Sequence, residues 1–105
     1  MVFVETPLFT ARVGSVLNDD QYRALQFALG LRPDQGVLIP GSGGLRKIRW
    51  GLPGRGKRGG LRVIYYWAAG DATIVMLYLY AKQEQGDLTS AQVRQLARLV
   101  REEFK

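Results

Sequence analysis

The sequence predicts a small α+β domain, with a mainly antiparallel sheet, two N-terminal helices and one C-terminal helix. Apolar residues recur at helical spacing near both ends, three strand-like runs lie between them, and segments rich in glycine and proline separate the elements. A length of 105 residues suits one compact domain over residues 1–105. We expect the helices to cover one face of the sheet and to leave the other face partly open.

The first elements are a short strand and a helix. Residues 2–4 can form the strand, because three apolar side chains follow one another there. Thr6 stands before Pro7, and a threonine N-cap followed by proline at the first helical position typically begins a helix. Helical spacing of the apolar residues that follow predicts that this helix reaches Leu17.

A second helix follows directly. Asn18 and Gln21 have the spacing of a capping box, in which each side chain bonds to the backbone of the other residue. Gly30 and Pro33 are expected to end the helix. Residues 32–44 contain two prolines and four glycines, so we expect this stretch to be a loop.

Three strands are predicted next, over residues 45–50, 61–69 and 73–81. A turn at residues 70–71 joins the last two as a hairpin. Residues 51–60 contain five glycines, three cations and one proline, which predicts a mobile basic loop rather than a tight turn.

The chain ends in a predicted amphipathic helix that packs on the sheet. Thr89 and Gln92 again have the spacing of a capping box. The apolar residues of this helix recur with a period close to 3.6, at Val93, Leu96, Ala97, Val100 and Phe104.

Composition restricts the chemistry that is open to the chain. Without cysteine or histidine it lacks thiol nucleophiles, disulfides and the usual metal ligands, so we expect no metal and no cofactor.

The net charge is +6, and residues 36–70 contain seven cations and no acid, which favours an anionic partner over a merely solvated surface. The chain has no apolar leader or bilayer-length stretch, so we expect a cytoplasmic protein that does not contact membranes.

Strand alternation predicts that the cations converge. Lys47 and Arg49 share one face of their strand, opposite Ile48 and Trp50, and Arg62 marks the open face of the next strand. In the third strand Tyr78, Tyr80 and Lys82 share one parity, while Val75, Leu77 and Leu79 are expected on the opposite face, toward the core. The expected patch consists of Lys47, Arg49, Arg62, Tyr80 and Lys82, with Arg46, Arg55, Lys57 and Arg58 at its edges.

Such a patch suits RNA, because cations neutralise phosphates and tyrosine rings can stack on bases. Plain strand preference explains each tyrosine equally well. RNA carries its own nucleophile, the 2′-hydroxyl, so cleavage needs a base, donors for the phosphorane charge and an acid. Among these residues Lys47 is the best candidate base, Arg49 and Arg62 suit phosphate binding, and Tyr80 could orient the scissile group. Binding to nucleic acid or the ribosome without catalysis fits the same residues.

Four strings resemble the RelE/HigB toxins of bacterial toxin–antitoxin modules, with the HigB branch closest: GGLRKIR at 43–49, GRGKRGGLRVIYY at 54–66, LYAK at 79–82 and DLT at 87–89. The resemblance implies a RelE-like fold and a ribosome-dependent mRNA endonuclease that halts translation without metal. It also implies a cognate antitoxin of the HigA/RelB kind with a helix-turn-helix, through which operator DNA is bound.

The resemblance also implies roles for individual residues. Lys47 and Arg49 match the basic pair implicated as base and charge stabiliser, Arg62 matches the phosphate-binding arginine of the next strand, and Lys82 belongs to the basic pair at the end of the last strand. The chain departs from the RelE branch at two places. It has Gln83 where that branch has an arginine, and it has Gly-Asp-Leu at residues 86–88 where that branch has a tyrosine. A noncatalytic relative that binds RNA, the ribosome or an antitoxin is the alternative.

Overall fold

A mixed sheet with strand order β1-β5-β4-β3-β2 organises the chain. The computed structural model describes residues 1–52 and 56–104, without the side chains of residues 52 and 56–59. In chain order the elements are β1 (Val2–Glu5), α1 (Pro7–Val16), α2 (Asp19–Leu31), β2 (Val37–Leu38), β3 (Leu45–Leu52), β4 (Gly56–Ala68), a 3₁₀ turn (Ala69–Asp71), β5 (Thr73–Ala81) and α3 (Ser90–Phe104).

The predicted α+β class and the three consecutive antiparallel strands are confirmed. Two strands at the sheet edges complete it. β1 pairs with β5 in parallel, with Val2 opposite Thr73, and β2 pairs antiparallel with β3 inside the stretch that was predicted to be a loop. A two-residue strand such as β2 has too short an alternation to be read from sequence.

Side-chain caps fix the helix ends as predicted. Asn18 and Gln21 form the reciprocal capping box of α2, each bond 2.8 Å long. Thr89 and Gln92 form the same arrangement at the start of α3, with bonds of 2.9 and 3.1 Å. The Thr6 hydroxyl accepts the backbone N–H of Phe9 at 3.1 Å and donates to the Leu77 carbonyl at 2.8 Å, so one residue both begins α1 and ties it to β5.

Helices cover both faces of the sheet, so the prediction of one open face is wrong. On the first face, α1 and α2 contribute Phe9, Leu25 and Leu29 to a core with β4 and β5. On the second face, α3 contributes Leu96, Ala97 and Val100 to a separate core. The physical reason is that β4 and β5 carry apolar side chains at both parities, and strands of that kind need cover on both sides. No helix of the described residues is long and apolar enough to cross a bilayer.

A β-bulge in β5 corrects the predicted facing of its apolar residues. Ile64 pairs with Tyr78 but Tyr65 pairs with Met76, which leaves Leu77 as the extra residue. An extra residue shifts the alternation by one position. Leu77 therefore joins the tyrosines on the second face, together with Val75, and only Leu79 of the predicted trio lies on the first face.

The hairpin between β3 and β4 is longer than predicted, because Leu52 still pairs with Gly56. Residues 56–60 therefore belong to β4 and not to a basic loop. Gly60 permits this close pairing, since a Cβ there would lie 2.5 Å from the Trp50 carbonyl oxygen. Arg55 and the side chains of Lys57 and Arg58 lie outside the described residues.

Replacing Thr6 tests how α1 is anchored. Thr6→Val keeps the shape but removes both hydroxyl bonds, and we expect it to lower the free energy of unfolding by about 2 kcal/mol. Thr6→Ser keeps the hydroxyl and should cost less than about 1 kcal/mol for one lost methyl group. Urea unfolding of both variants measures the difference, and equal losses would show that the hydroxyl bonds do not anchor the helix.

Candidate nucleic-acid interface

Arg49, Arg62 and Tyr80 lie side by side across three strands on the second face of the sheet, and we call them the cross-strand row. The pairing register places Arg49 of β3 opposite Arg62 of β4, and Arg62 opposite Tyr80 of β5. Lys47 lies on the same face, two residues from Arg49 and opposite Ile64. The structure thus brings four of the five central residues of the predicted patch onto one face of the sheet.

Arg62 is the charged residue that is most strongly buried in the described part of the chain, with 5% of its surface exposed. Its guanidinium is 3.5 Å from the carbonyl oxygen of Leu61, which is a long hydrogen bond. The ion pairs among the described residues are Arg12–Glu84 and Lys47–Asp87, and neither includes Arg62.

The cross-strand row is therefore short of negative charge. Burying a cation costs free energy unless a partner compensates it, and like charges directly opposite one another on a sheet destabilise the pair. Arg49 faces Arg62 in this way. An anion bound between the two guanidinium groups would remove both costs, and planar guanidinium groups match phosphate oxygens with two parallel hydrogen bonds.

Asp87, in the segment between β5 and α3, brings a carboxylate to this surface. Its Oδ1 atom accepts the backbone N–H of Leu88 at 2.8 Å and the Nζ of Lys47 at 3.1 Å, and it lies 3.5 Å from the Tyr80 hydroxyl. The bond from the Leu88 N–H, and then that from Lys47, lower the pKa of Asp87 below its ordinary value. Asp87 is consequently an anion at neutral pH.

Tyr80 is fully buried, and this changes what it can do. Burial, followed by the charge of Asp87, raises the pKa of its phenol to about 12, although Arg62 acts in the opposite direction. Its ring lies 5.8 Å from that of Tyr78, which is also buried. Neither ring offers a free face on which a base could stack, and the Tyr80 hydroxyl keeps its proton at neutral pH.

The other predicted residues that the structure describes lie outside the cross-strand row. Lys82 follows β5 and is exposed, with its backbone N–H 3.4 Å from the Gly60 carbonyl. Arg46 extends from the other side of β3 and donates to the carbonyls of Asp34 and Gly36 at 2.9 and 2.8 Å, so it fixes the loop before β2. Among the described residues no three carboxylates cluster closely enough to hold a metal ion.

Asp87 is the functional candidate that the sequence did not reveal. Forty positions separate it from Lys47, and an acidic residue in a loop has no periodicity that would assign it to a partner. Its position beside the basic strand follows only from the way in which the segment after β5 returns over the second face.

A family model described as the RelE toxin of the RelE/RelB toxin–antitoxin system matches residues 38–105. The chain belongs to the RelE toxin family. The matched region contains β3, β4, β5 and α3, and hence the whole cross-strand row together with Lys47 and Asp87. The surface with uncompensated positive charge is therefore part of the RelE family region.

The Lys47–Asp87 pair predicts a pH effect that NMR can measure. Because the folded protein lowers the pKa of Asp87, the ionised carboxylate stabilises the fold at neutral pH, and this stabilisation is lost as pH falls through the lowered value. In Lys47→Met we expect the pKa to rise only part of the way to 3.8, since the Leu88 N–H bond remains. A carboxyl-carbon titration checks this. The pKa of Glu84, which bonds to Arg12 instead, should not move. An unchanged Asp87 pKa would contradict the contact with Lys47.

Proposed function

We propose that this chain is the toxin of a type II toxin–antitoxin module, of the HigB branch, and that it cleaves mRNA on the ribosome and so inhibits translation. The observation that carries the proposal is the buried Arg62 opposite Arg49, two cations without a carboxylate partner inside the RelE family region. A polyanion is the partner that this arrangement would stabilise most. Family membership supports messenger RNA as that polyanion.

In the proposed reaction the scissile phosphate binds between Arg49 and Arg62. Neither arginine loses its proton, so both serve as donors that stabilise charge developing on the phosphorane oxygens. The RNA 2′-hydroxyl is the nucleophile, and no metal is required by this scheme. Lys47 lies on the same face and takes part in proton transfer. Lys82, exposed beyond β5, binds a neighbouring part of the RNA.

The partners of the proposed toxin follow from its family. The family description pairs the RelE toxin with RelB, which supports a cognate antitoxin for this chain. We propose an antitoxin of the HigA/RelB kind with a helix-turn-helix, which would bring the complex to operator DNA. The ribosome and its mRNA are the proposed targets of the free toxin, and the proposed compartment is the cytoplasm.

One observation favours a noncatalytic relative as the second candidate. Gln83 carries no charge at the place where the RelE branch has an arginine, and it is exposed. A chain that bound the ribosome or an antitoxin without cutting RNA would still need the cations of the cross-strand row. Translation would then stop while messages stayed intact.

Removing the cations tests the proposed endonuclease. We expect Lys47→Ala combined with Arg62→Ala to abolish growth arrest on induction. The proposed phosphate site then lacks both the buried guanidinium of Arg62 and the Lys47 amine on the same face. Mapping of messenger 5′ ends after brief expression should show codon-phased cuts for the unchanged chain and none for the double variant. Because Arg62 is buried, Lys47→Ala with Arg49→Ala is a second variant that alters side chains in contact with solvent.

Arg94→Ala with Arg98→Ala is the matched control, since it removes two exposed cations from α3. This control should cut as the unchanged chain does. Full cutting by both site variants while circular dichroism shows them folded would remove the proposal. Arrested translation with intact messages in the unchanged chain would favour the noncatalytic candidate.

A further inference from the structure

We propose that Asp87 is the general base of the site and takes the proton of the RNA 2′-hydroxyl, while Lys47 acts as a cation and proton donor. This inference rests on the proposed function. The sequence predicts that Lys47 is the base, and Asp87 takes that role here. The geometry of the contacts among Lys47, Asp87 and Tyr80 is the first argument for this assignment.

The carboxylate of Asp87 is held at the edge of the phosphate site by three donors from three parts of the chain. Lys47 comes from β3, the Tyr80 hydroxyl from β5, and the Leu88 N–H from the segment that carries Asp87 itself. All three contacts use Oδ1, and the Asp87 side chain is 68% exposed. One carboxylate oxygen thus fixes the group in place while the side chain stays accessible to a substrate hydroxyl.

The neighbouring groups leave Asp87 as the available base. Arg49 and Arg62 are always protonated. Tyr80 keeps its proton, since burial raises the pKa of its phenol to about 12. A lysine must first lose a proton, and roughly one ordinary lysine in a few thousand is neutral at pH 7.

Asp87 needs no such preparation. Its pKa is lowered by the Leu88 N–H and by Lys47, so the carboxylate is ionised throughout the neutral range. Lys47 of β3 and the hydroxyl of Tyr80 of β5 contact the Asp87 carboxylate, and the charge of Arg62 of β4 acts on that tyrosine. Gln85 of the same segment and Val93 of α3 are the other neighbours. Among these described neighbours no second carboxylate competes for the proton.

The proposed step balances without a co-reactant. The 2′-oxygen gives its proton to the Asp87 carboxylate and forms a bond to phosphorus. The bond from phosphorus to the 5′-oxygen breaks, and that oxygen takes a proton from the Lys47 ammonium. The products are a 2′,3′-cyclic phosphate and a free 5′-hydroxyl, and proton exchange with water restores Asp87 and Lys47.

The pH dependence of cleavage separates the two possible bases. Single-turnover cleavage of ribosome-bound mRNA is measured between pH 6 and 8.5 for the unchanged chain and for Asp87→Asn. With Asp87 as base, the rate of the unchanged chain is flat over this range, because the carboxylate is already ionised. Asp87→Asn should be slower by about 100-fold or more at pH 7. Its residual rate should rise tenfold per pH unit, since hydroxide replaces the carboxylate.

Glu84→Gln is the matched control, because Glu84 lies three residues from Asp87, is also exposed, and pairs with Arg12 instead of Lys47. Its rate and pH profile should equal those of the unchanged chain. A tenfold rise per pH unit in the unchanged chain, or an Asp87→Asn variant with its rate and profile intact, overturns the assignment of Asp87. No cleavage by the unchanged chain at any pH instead defeats the proposed function.

Discussion

The central strand β4 is buried on both faces, and this constraint governs the rest of the structure. Its side chains alternate between the core under α1 and α2 and the core under α3. A strand in that position normally carries only apolar side chains, because a buried charge is costly. Arg62 breaks the pattern as the buried cation of the described chain. Such a departure from the local pattern is typical of functional sites.

The local features of this fold could be predicted from sequence. The capping boxes of α2 and α3, the threonine cap of α1 and the facing of β3 and β4 all depend on residues a few positions apart. The convergence of Lys47, Arg49 and Arg62 follows from the same alternation once β3 and β4 pair without a shift between residues 45–50 and 61–66.

The features that sequence could not predict depend on distant parts of the chain. The bulge at Leu77 leaves no local mark, and it moves Leu77 and Val75 to the face of Tyr78 and Tyr80. The side on which α3 packs is decided by which sheet face remains apolar after α1 and α2 have covered the other. The contact between Asp87 and Lys47 is likewise nonlocal, because the two residues are 40 positions apart in the chain.

The position of Asp87 relative to Arg49 and Arg62 matters for anion binding. Asp87 neutralises Lys47 at the side of the site, but the two arginines face one another without a carboxylate between them. Had the acid lain beside Arg62, the row would be a closed structural ion pair with little affinity for phosphate. In the observed arrangement Asp87 pairs with Lys47, and the two arginines have no carboxylate partner among the described residues.

Binding of RNA phosphate by the cross-strand row is tested most directly by an NMR titration of arginine side-chain N–H groups. The titrant is a 2′-O-methyl oligoribonucleotide, which lacks the nucleophilic hydroxyl and cannot be cut. If the cross-strand row binds RNA phosphate, the Nε–H signals of Arg49 and Arg62 shift together and saturate at one common dissociation constant. Shifts confined to the exposed Arg94 and Arg98 of α3, with Arg62 unmoved, would contradict the claim that the cross-strand row binds RNA phosphate.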